Sequence, residues 1–179
     1  LTGEQKRFLE FTLRDYKRAG MELPPKERAR LTEVQKEITK LGIEFGKNIA
    51  EDQTTVLLSA AELKGAPEST LKGLPVNNGV YVVDLSAPTY TALMENCPDE
   101  TTRQKLWMAH KRRAGKKNVE ILEKAIKLFA EQAQILGYAH TADFQTETRM
   151  AKNYANVQKF YETLRPLVRQ KAAADMAEF

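Results

Sequence analysis

Apolar residues recur at spacings of three and four from Asn118 to Leu136, and this pattern predicts the most strongly amphipathic helix of the chain. Two apolar stripes lie side by side on it. The first consists of Leu122, Ile126, Phe129, Ala133 and Leu136, and the second of Ile121, Ala125, Leu128 and Ile135. Because two stripes make a wide apolar face, we expect the helix to be buried over much of its girth. The large side chains of the first stripe should be among the most buried, and Gly137 should end the helix.

The first part of the chain predicts two helices joined by a short connection. Residues 2–19 carry Leu9, Leu13 and Tyr16 on one face, and residues 25–51 carry a longer apolar stripe. That stripe consists of Leu31, Val34, Ile38, Leu41, Phe45 and Ile49. Because the connection is short, we expect the two helices to be antiparallel neighbours, so that residues 1–52 form a helical hairpin.

Between residues 53 and 87 the pattern changes from helical to strand-like. Residues 54–58 and 80–85 are rich in β-branched and apolar side chains, which favours strands. Asn78-Gly79 indicates a tight turn, but residues 75–77 before it are too few for a good hairpin strand. We therefore expect residues 54–58 to pair with residues 80–85 as a two-stranded antiparallel element, covered by helices because two strands alone are marginally stable.

Residues 88–179 predict further helices. Pro88 and Pro98 each mark the start of a short one, and the last begins near Asn153 and is expected to kink at Pro166. Its apolar face consists of Val157, Phe160, Leu164, Leu167 and Val168. The predicted fold class is mainly α, with an antiparallel helical hairpin (1–52), a small two-stranded antiparallel β element (53–87) and a helix bundle (88–179). We interpret residues 1–179 as a single fragment.

The composition of the chain indicates its cellular compartment but not the reaction in which it takes part. Hydrophobic residues make up 42% and charged residues 29% of the sequence, and no apolar run approaches the length of a membrane span. Cys97 is the only cysteine, so no internal disulfide forms, and no N-glycosylation sequon occurs. These features indicate a reducing compartment and predict a cytoplasmic protein without a membrane partner.

No catalytic or metal-binding motif occurs in the chain. A helical zinc site is typically marked by HExxH, and this sequence has two isolated histidines, His110 and His140, instead. Three cations follow His110 and would repel a metal ion, and His140 lies before a predicted helix start. No nucleophile elbow, phosphate-binding loop or dinucleotide fingerprint is present. The sequence therefore predicts no catalytic residue and no metal ligand, and it leaves any substrate-binding residue unassigned.

One stretch of the chain is strongly basic. It contains seven cations and no acidic residue: Arg103, Lys105, Lys111, Arg112, Arg113, Lys116 and Lys117. A phosphate- or RNA-binding module would use such a patch. Cations also gather at helix C-termini, where the helix dipole favours them. Because no aromatic stacking platform or nucleic-acid motif accompanies the patch, we favour the second interpretation and do not expect a nucleic-acid partner.

Four blocks of the chain, in order, resemble one protein family. They are Leu13-Arg14-Asp15-Tyr16 with Leu41-Gly42-Ile43; the threonine-rich strand leading to Glu62-Leu63; Tyr81 to Pro88 with Arg103 to Arg113; and Leu136-Gly137-Tyr138 with Ala142-Asp143-Phe144 and Arg149-Met150-Ala151. They cover nearly the whole chain. The family is the thimet-oligopeptidase-like zinc metallopeptidases, which include thimet oligopeptidase, neurolysin, oligopeptidase A and dipeptidyl carboxypeptidase. Two departures are Phe129, where arginine is usual, and the order His140-Thr141.

The resemblance implies a mostly helical, two-lobed enzyme whose deep channel admits short unstructured peptides. In such enzymes a zinc ion held by an HExxH helix activates a water, and the motif glutamate acts as general base. That helix would lie beyond Phe179. The resemblance therefore implies a non-catalytic segment of a channel wall, with zinc in the parent enzyme only. This chain alone is expected to be inactive and to bind no zinc.

Two other functions remain open from the sequence. A stand-alone helical adaptor would bind a partner helix in an apolar groove, and a phosphate- or RNA-binding module would use the basic stretch.

For the parent, the expected partners are short peptide substrates. For this chain, we expect contact with the remainder of the parent or self-association through the terminal helices. This last expectation rests on Met176 and Phe179, which extend the apolar face of the last helix to the end of the chain.

Overall fold

A computed structural model describes residues 1–178, and this part of the chain is mainly helical, as predicted. Its helices are α1 (Gly3–Arg18), α2 (Pro25–Ala50), α3 (Glu68–Lys72), α4 (Ala87–Asn96), α5 (Glu100–Lys111), α6 (Gly115–Ile135), α7 (Thr141–Thr146) and α8 (Tyr154–Glu178). Its strands are β1 (Thr55–Ser59), β2 (Val76–Asn77) and β3 (Val80–Asp84). None of these helices is long and apolar enough to cross a bilayer. Phe179 lies outside the described residues.

The chain forms two compact units. One comprises residues 41–123, and the other comprises residues 1–40 together with the chain from residue 124 onward. The division of the chain at residues 52 and 87 stays a prediction.

The unit of residues 41–123 is built on a small antiparallel sheet with strand order β1-β3-β2. The predicted pairing of the two longer strands is confirmed, with a register that runs from Thr55 opposite Asp84 to Ser59 opposite Val80. The core consists of Leu58, Leu63, Leu74, Val83, Leu85, Leu93, Cys97 and Leu106. Because α4 supplies Leu93 and α5 supplies Leu106, helices cover the sheet as expected.

The prediction of only two strands was wrong, because the short segment before the turn also pairs. Asn78 and Gly79 both have positive φ angles, 49° and 79°, which is the geometry that a tight hairpin turn requires. Val76 then pairs with Tyr81, and the Val82 N–H donates to the Pro75 carbonyl at 2.8 Å. Two strand residues and one flanking carbonyl are therefore sufficient when a third strand already holds β3.

In the other unit, α1 is capped as its sequence suggests but packs loosely. Thr2 and Gln5 form a reciprocal capping box at its start. None of its residues is buried, and Leu13 and Tyr16 are each 57% exposed. The antiparallel packing of α1 along α2 therefore stays a prediction. The apolar stripe of α2, a helix that contributes to both units, is confirmed as an inward face, since Leu31 and Val34 in this unit and Leu41 in the unit of residues 41–123 are buried.

The predicted orientation of α6 was wrong. Leu122 is 51% and Ile126 57% exposed, and Phe129 is 36% exposed. Ile121 of the second stripe is buried, as is Ala133 of the first. Both stripes are apolar, so the helical period alone does not determine which of them faces inward. The face of α8 is likewise open, with Phe160 61% exposed.

Candidate functional site

The turn between α5 and α6 organises the polar centre of the unit of residues 41–123. Ala114 lies in this turn with a φ of 51°, a conformation that residues other than glycine adopt infrequently. The Asp52 carboxylate accepts the Ala114 N–H at 2.7 Å and the Thr54 N–H at 2.9 Å. Hydrogen bonds from Thr54 and Ala114 hold the pKa of Asp52 below its usual range. The ionised carboxylate therefore fixes this turn to the chain that follows α2.

Asn118 attaches the first turn of α6 to the last turns of α2. It is 5% exposed, and its side-chain amide donates to the Phe45 carbonyl at 3.1 Å. Its carbonyl oxygen accepts from the Asn48 amide at 2.9 Å. A buried amide is tolerated here because both of its ends are hydrogen-bonded.

His110 lies against an aromatic ring and a guanidinium group. Its ring stacks on Tyr90 with centroids 3.9 Å apart, and Arg113 Nη2 lies 2.9 Å from its Nε2. Because arginine only donates, Nε2 must accept and the proton of the neutral ring lies on Nδ1. Nδ1 is buried and has no partner within residues 1–178. Burial lowers the pKa of His110, and the charges of Arg113 and Lys111 lower it further.

A cleft of about 360 Å³ opens beside this histidine. Its lining residues are Phe45, Ile49, His110, Lys111, Arg113, Gly115, Asn118, Val119 and Leu122. They come from α2, from α5 and its turn, and from the start of α6. Its apolar side chains come from α2 and α6 and its cationic side chains from α5 and the turn after it, so the cleft is suited to binding rather than to bond cleavage.

Neither histidine lies in a metal site. No group of three or more His, Cys, Asp or Glu side chains in the described part of the chain is arranged to hold a metal ion. His110 faces cations. His140 lies immediately before α7, with its ring 6.4 Å from the ring of Tyr154.

The basic stretch does not act as one surface, because several of its cations have internal partners. Arg103 donates to the Cys97 and Pro98 carbonyls, each at 2.7 Å. Lys105 forms an ion pair with Glu62 at 2.6 Å, and Arg113 is held at the α5–α6 turn. The exposed remainder is Lys111, Arg112, Lys116 and Lys117.

The second unit contains a polar cluster that the sequence analysis did not identify. Arg18, at the end of α1, pairs with Glu147 and donates to the Phe144 carbonyl at 2.8 Å. The Tyr138 hydroxyl donates to Glu147 at 2.6 Å, and the Arg18 guanidinium lies 4.1 Å from the centre of the Phe144 ring. Burial raises the pKa of Tyr138, and so does its hydrogen bond to Glu147. Tyr138 and Phe144 belong to the motifs quoted above, and this cluster gives them a structural role.

Comparison with known proteins identifies the relatives of the chain. The sequence model of Peptidase family M3 matches residues 93–179. The chain is 32% identical over 178 residues to the thimet-like oligopeptidase of Dictyostelium discoideum, covering 98% of this chain and 26% of that protein. It is also 26% identical over 194 residues to oligopeptidase A of Escherichia coli (strain K12), covering 99% of this chain and 28% of that protein. The chain is therefore similar to thimet-oligopeptidase-like peptidases over nearly its whole length.

The match to this family has a definite extent. Saccharolysin of Saccharomyces cerevisiae is 27% identical over 166 residues, which is 89% of this chain and 23% of that protein. The chain therefore spans about a quarter of the length of the M3-family relatives it matches. The resemblance drawn from the four sequence blocks is confirmed by these matches.

Proposed function

We propose that this chain is a non-catalytic, channel-wall segment of a zinc metallopeptidase that hydrolyses short oligopeptides. The observation that carries the proposal is the family match over residues 93–179, together with relatives named as oligopeptidases that align over nearly the whole chain. The sequence contains no HExxH, which favours a structural rather than a catalytic role for this segment.

The residues of this chain do not fit a zinc ion. Zinc prefers neutral imidazole, thiolate or carboxylate ligands that converge on one point. The accepting nitrogen of His110 is occupied by Arg113, and the thiol of Cys97 is buried in the core, where burial raises its pKa. The proposal therefore assigns zinc and the general base to residues of the parent outside this chain.

The full-length parent and the isolated chain test this proposal together. We expect the parent to cleave a quenched-fluorescent peptide of about ten residues, to contain zinc, and to lose activity with a chelator. The isolated chain serves as the matched control and should neither cleave the peptide nor bind zinc near a molar ratio of one. A zinc-free parent without peptidase activity would refute the proposal.

The proposed partner of this chain is the remainder of the parent, or a second copy of the chain when that remainder is missing. The open face of α8 and the exposed Ile126 and Phe129 of α6 support this, because exposed apolar patches are typical of interaction surfaces. Analytical ultracentrifugation should show concentration-dependent association of the isolated chain, suppressed by Phe160→Asp. A strictly monomeric chain would favour the adaptor function instead.

The proposed location of the parent is the cytoplasm. A buried free thiol at Cys97 and the lack of any second cysteine support a reducing compartment. Two relatives are named mitochondrial intermediate peptidase, so imaging of the tagged full-length protein is the appropriate test. A mitochondrial signal would contradict this location.

A further inference from the structure

The cleft beside His110 is lined by two chemically different kinds of side chain, apolar and cationic. Val119 and Leu122 on α6 are each about half exposed, and with Phe45 and Ile49 of α2 they form an apolar wall. Lys111 and Arg113 also line the cleft, and the lining residues include no carboxylate. A volume of about 360 Å³ lies at the lower end of the range for small-molecule sites. The cleft therefore suits a small ligand that is apolar at one end and anionic at the other.

Arg113 is a half-buried cation without an ion-pair partner. Its Nε donates to the His110 carbonyl and its Nη1 to the Leu85 carbonyl, both at 3.1 Å, and its Nη2 contacts His110 Nε2. These contacts use three of its five N–H groups. None of the ion pairs within residues 1–178 involves Arg113.

Arg18, a half-buried arginine of the other unit, is neutralised by Glu147. Arg103 is also half-buried and forms no ion pair among residues 1–178, but it donates to two backbone carbonyls and does not line the cleft. Asp52 is the acidic residue whose pKa responds to the charge of Arg113, but its oxygens are taken by Ala114 and Thr54. Partial burial makes the charge of Arg113 energetically costly when no anion pairs with it. Binding of an anion at Arg113 is therefore favourable.

We propose that this cleft binds the free carboxyl terminus of a short peptide whose last side chain is apolar. The carboxylate accepts hydrogen bonds from the remaining N–H groups of Arg113 and is attracted by Lys111. The last side chain packs on Val119 and Leu122. The identification of the ligand as a peptide rests on the proposed function, whereas the recognition of an apolar carboxylate rests on the cleft alone.

His110 reports occupancy of the cleft. Arg113 and Lys111 are among the causes of its lowered pKa, so a carboxylate that neutralises them should raise that pKa. The chain has two histidines, and His140 belongs to the other unit. The ring signals of His110 can therefore be followed separately from those of His140 in NMR spectra of the same sample.

Three matched probes test the proposal on the full 179-residue chain. N-acetyl-Ala-Ala-Leu with a free carboxylate should bind, shift the NMR signals of Val119 and Leu122, and raise the pKa of His110. The same peptide with a C-terminal amide should not bind measurably, which isolates the carboxylate. N-acetyl-Ala-Ala-Gly with a free carboxylate should bind more weakly, which isolates the apolar side chain.

Two variants in the cleft and one control outside it locate the site without disturbing the core. Lys111→Gln should weaken binding of the free acid about fivefold, as expected for a partly screened charge, whereas Lys64→Gln, an exposed lysine outside the cleft, should not change it. Leu122→Asp should abolish binding of the leucine peptide.

Equal binding of acid and amide, or binding insensitive to both Lys111→Gln and Leu122→Asp, would overturn the inference while leaving the peptidase proposal intact, because cleavage is measured on the parent. Isocaproate binding as tightly as the peptide would overturn the assignment of the ligand as a peptide.

Discussion

Asn118 provides a sharp test of how α6 is attached to α2. Replacing it by alanine removes two hydrogen bonds, one to the Phe45 carbonyl and one from the Asn48 amide. Each is worth about 1 kcal/mol net, and a partner left unpaired in a half-buried position costs about 1–3 kcal/mol. We therefore expect Asn118→Ala to lower the free energy of unfolding by about 2–3 kcal/mol.

The measurement is urea denaturation followed by circular dichroism, with a double-mutant cycle between Asn118→Ala and Asn48→Ala. If the two amides contact each other as described, the two losses should not add, with a coupling energy of about 0.5–1.5 kcal/mol. Gln134→Ala, an exposed substitution on the same helix, controls for helix propensity. A loss below about 0.5 kcal/mol, or strict additivity with Asn48→Ala, would refute this account of the junction.

Three further predictions follow from burial, charge and backbone geometry. Leu106→Ala, at a fully buried position, should cost about 2–5 kcal/mol in urea denaturation, whereas Leu122→Ala should cost under about 1 kcal/mol; equal losses would mean that α6 faces the other way. The pKa of His110 is lowered in the fold. The contribution of this histidine to the free energy of unfolding should therefore be complete above the ordinary histidine pKa near 6.5 and decrease as the pH falls below it. His110→Phe should remove this part of the pH dependence. Gly20→Ala should destabilise the fold, because Gly20 has a φ of 82° and the added carbon would lie 2.5 Å from a leucine methyl. Gly42→Ala in α2, where the added carbon meets no atom within 4 Å, should stabilise the fold by about 0.5–1 kcal/mol. A higher melting temperature for Gly20→Ala than for Gly42→Ala would contradict both expectations.

The inward face of α2 could be predicted because its spacing leaves only one choice. Leu31, Val34 and Leu41 lie on the only apolar stripe of that helix, so any packed arrangement buries them. On α6 the residues offer two stripes, and a helical period cannot tell which neighbour will be available. Ile121 is therefore buried and Leu122 exposed, although they are equally apolar and adjacent in sequence.

The polar junctions could be predicted only in part, since each joins residues distant in sequence. Asn118 is recognisable as a polar residue in an apolar helix, but its partner Asn48 lies 70 residues away. The contact of Asp52 with Ala114 spans 62 residues, and it depends on a left-handed alanine that no residue preference indicates. The cationic neighbours of His110 could be read from the sequence, but its stacking on Tyr90 required the fold.

The loose packing of α1 has a consequence for how the chain opens. A helix of 16 residues is only marginally stable in water without tertiary contacts, and α1 buries no side chain while Arg18 anchors its last turn. Its first amides should therefore exchange with deuterium almost as fast as those of a free peptide, whereas the β3 amides exchange only on global unfolding. A protease should likewise cut near Phe8 long before it reaches the sheet. Ordering α1 loses conformational entropy. A surface that binds and orders this helix must offset that loss, which lowers its affinity.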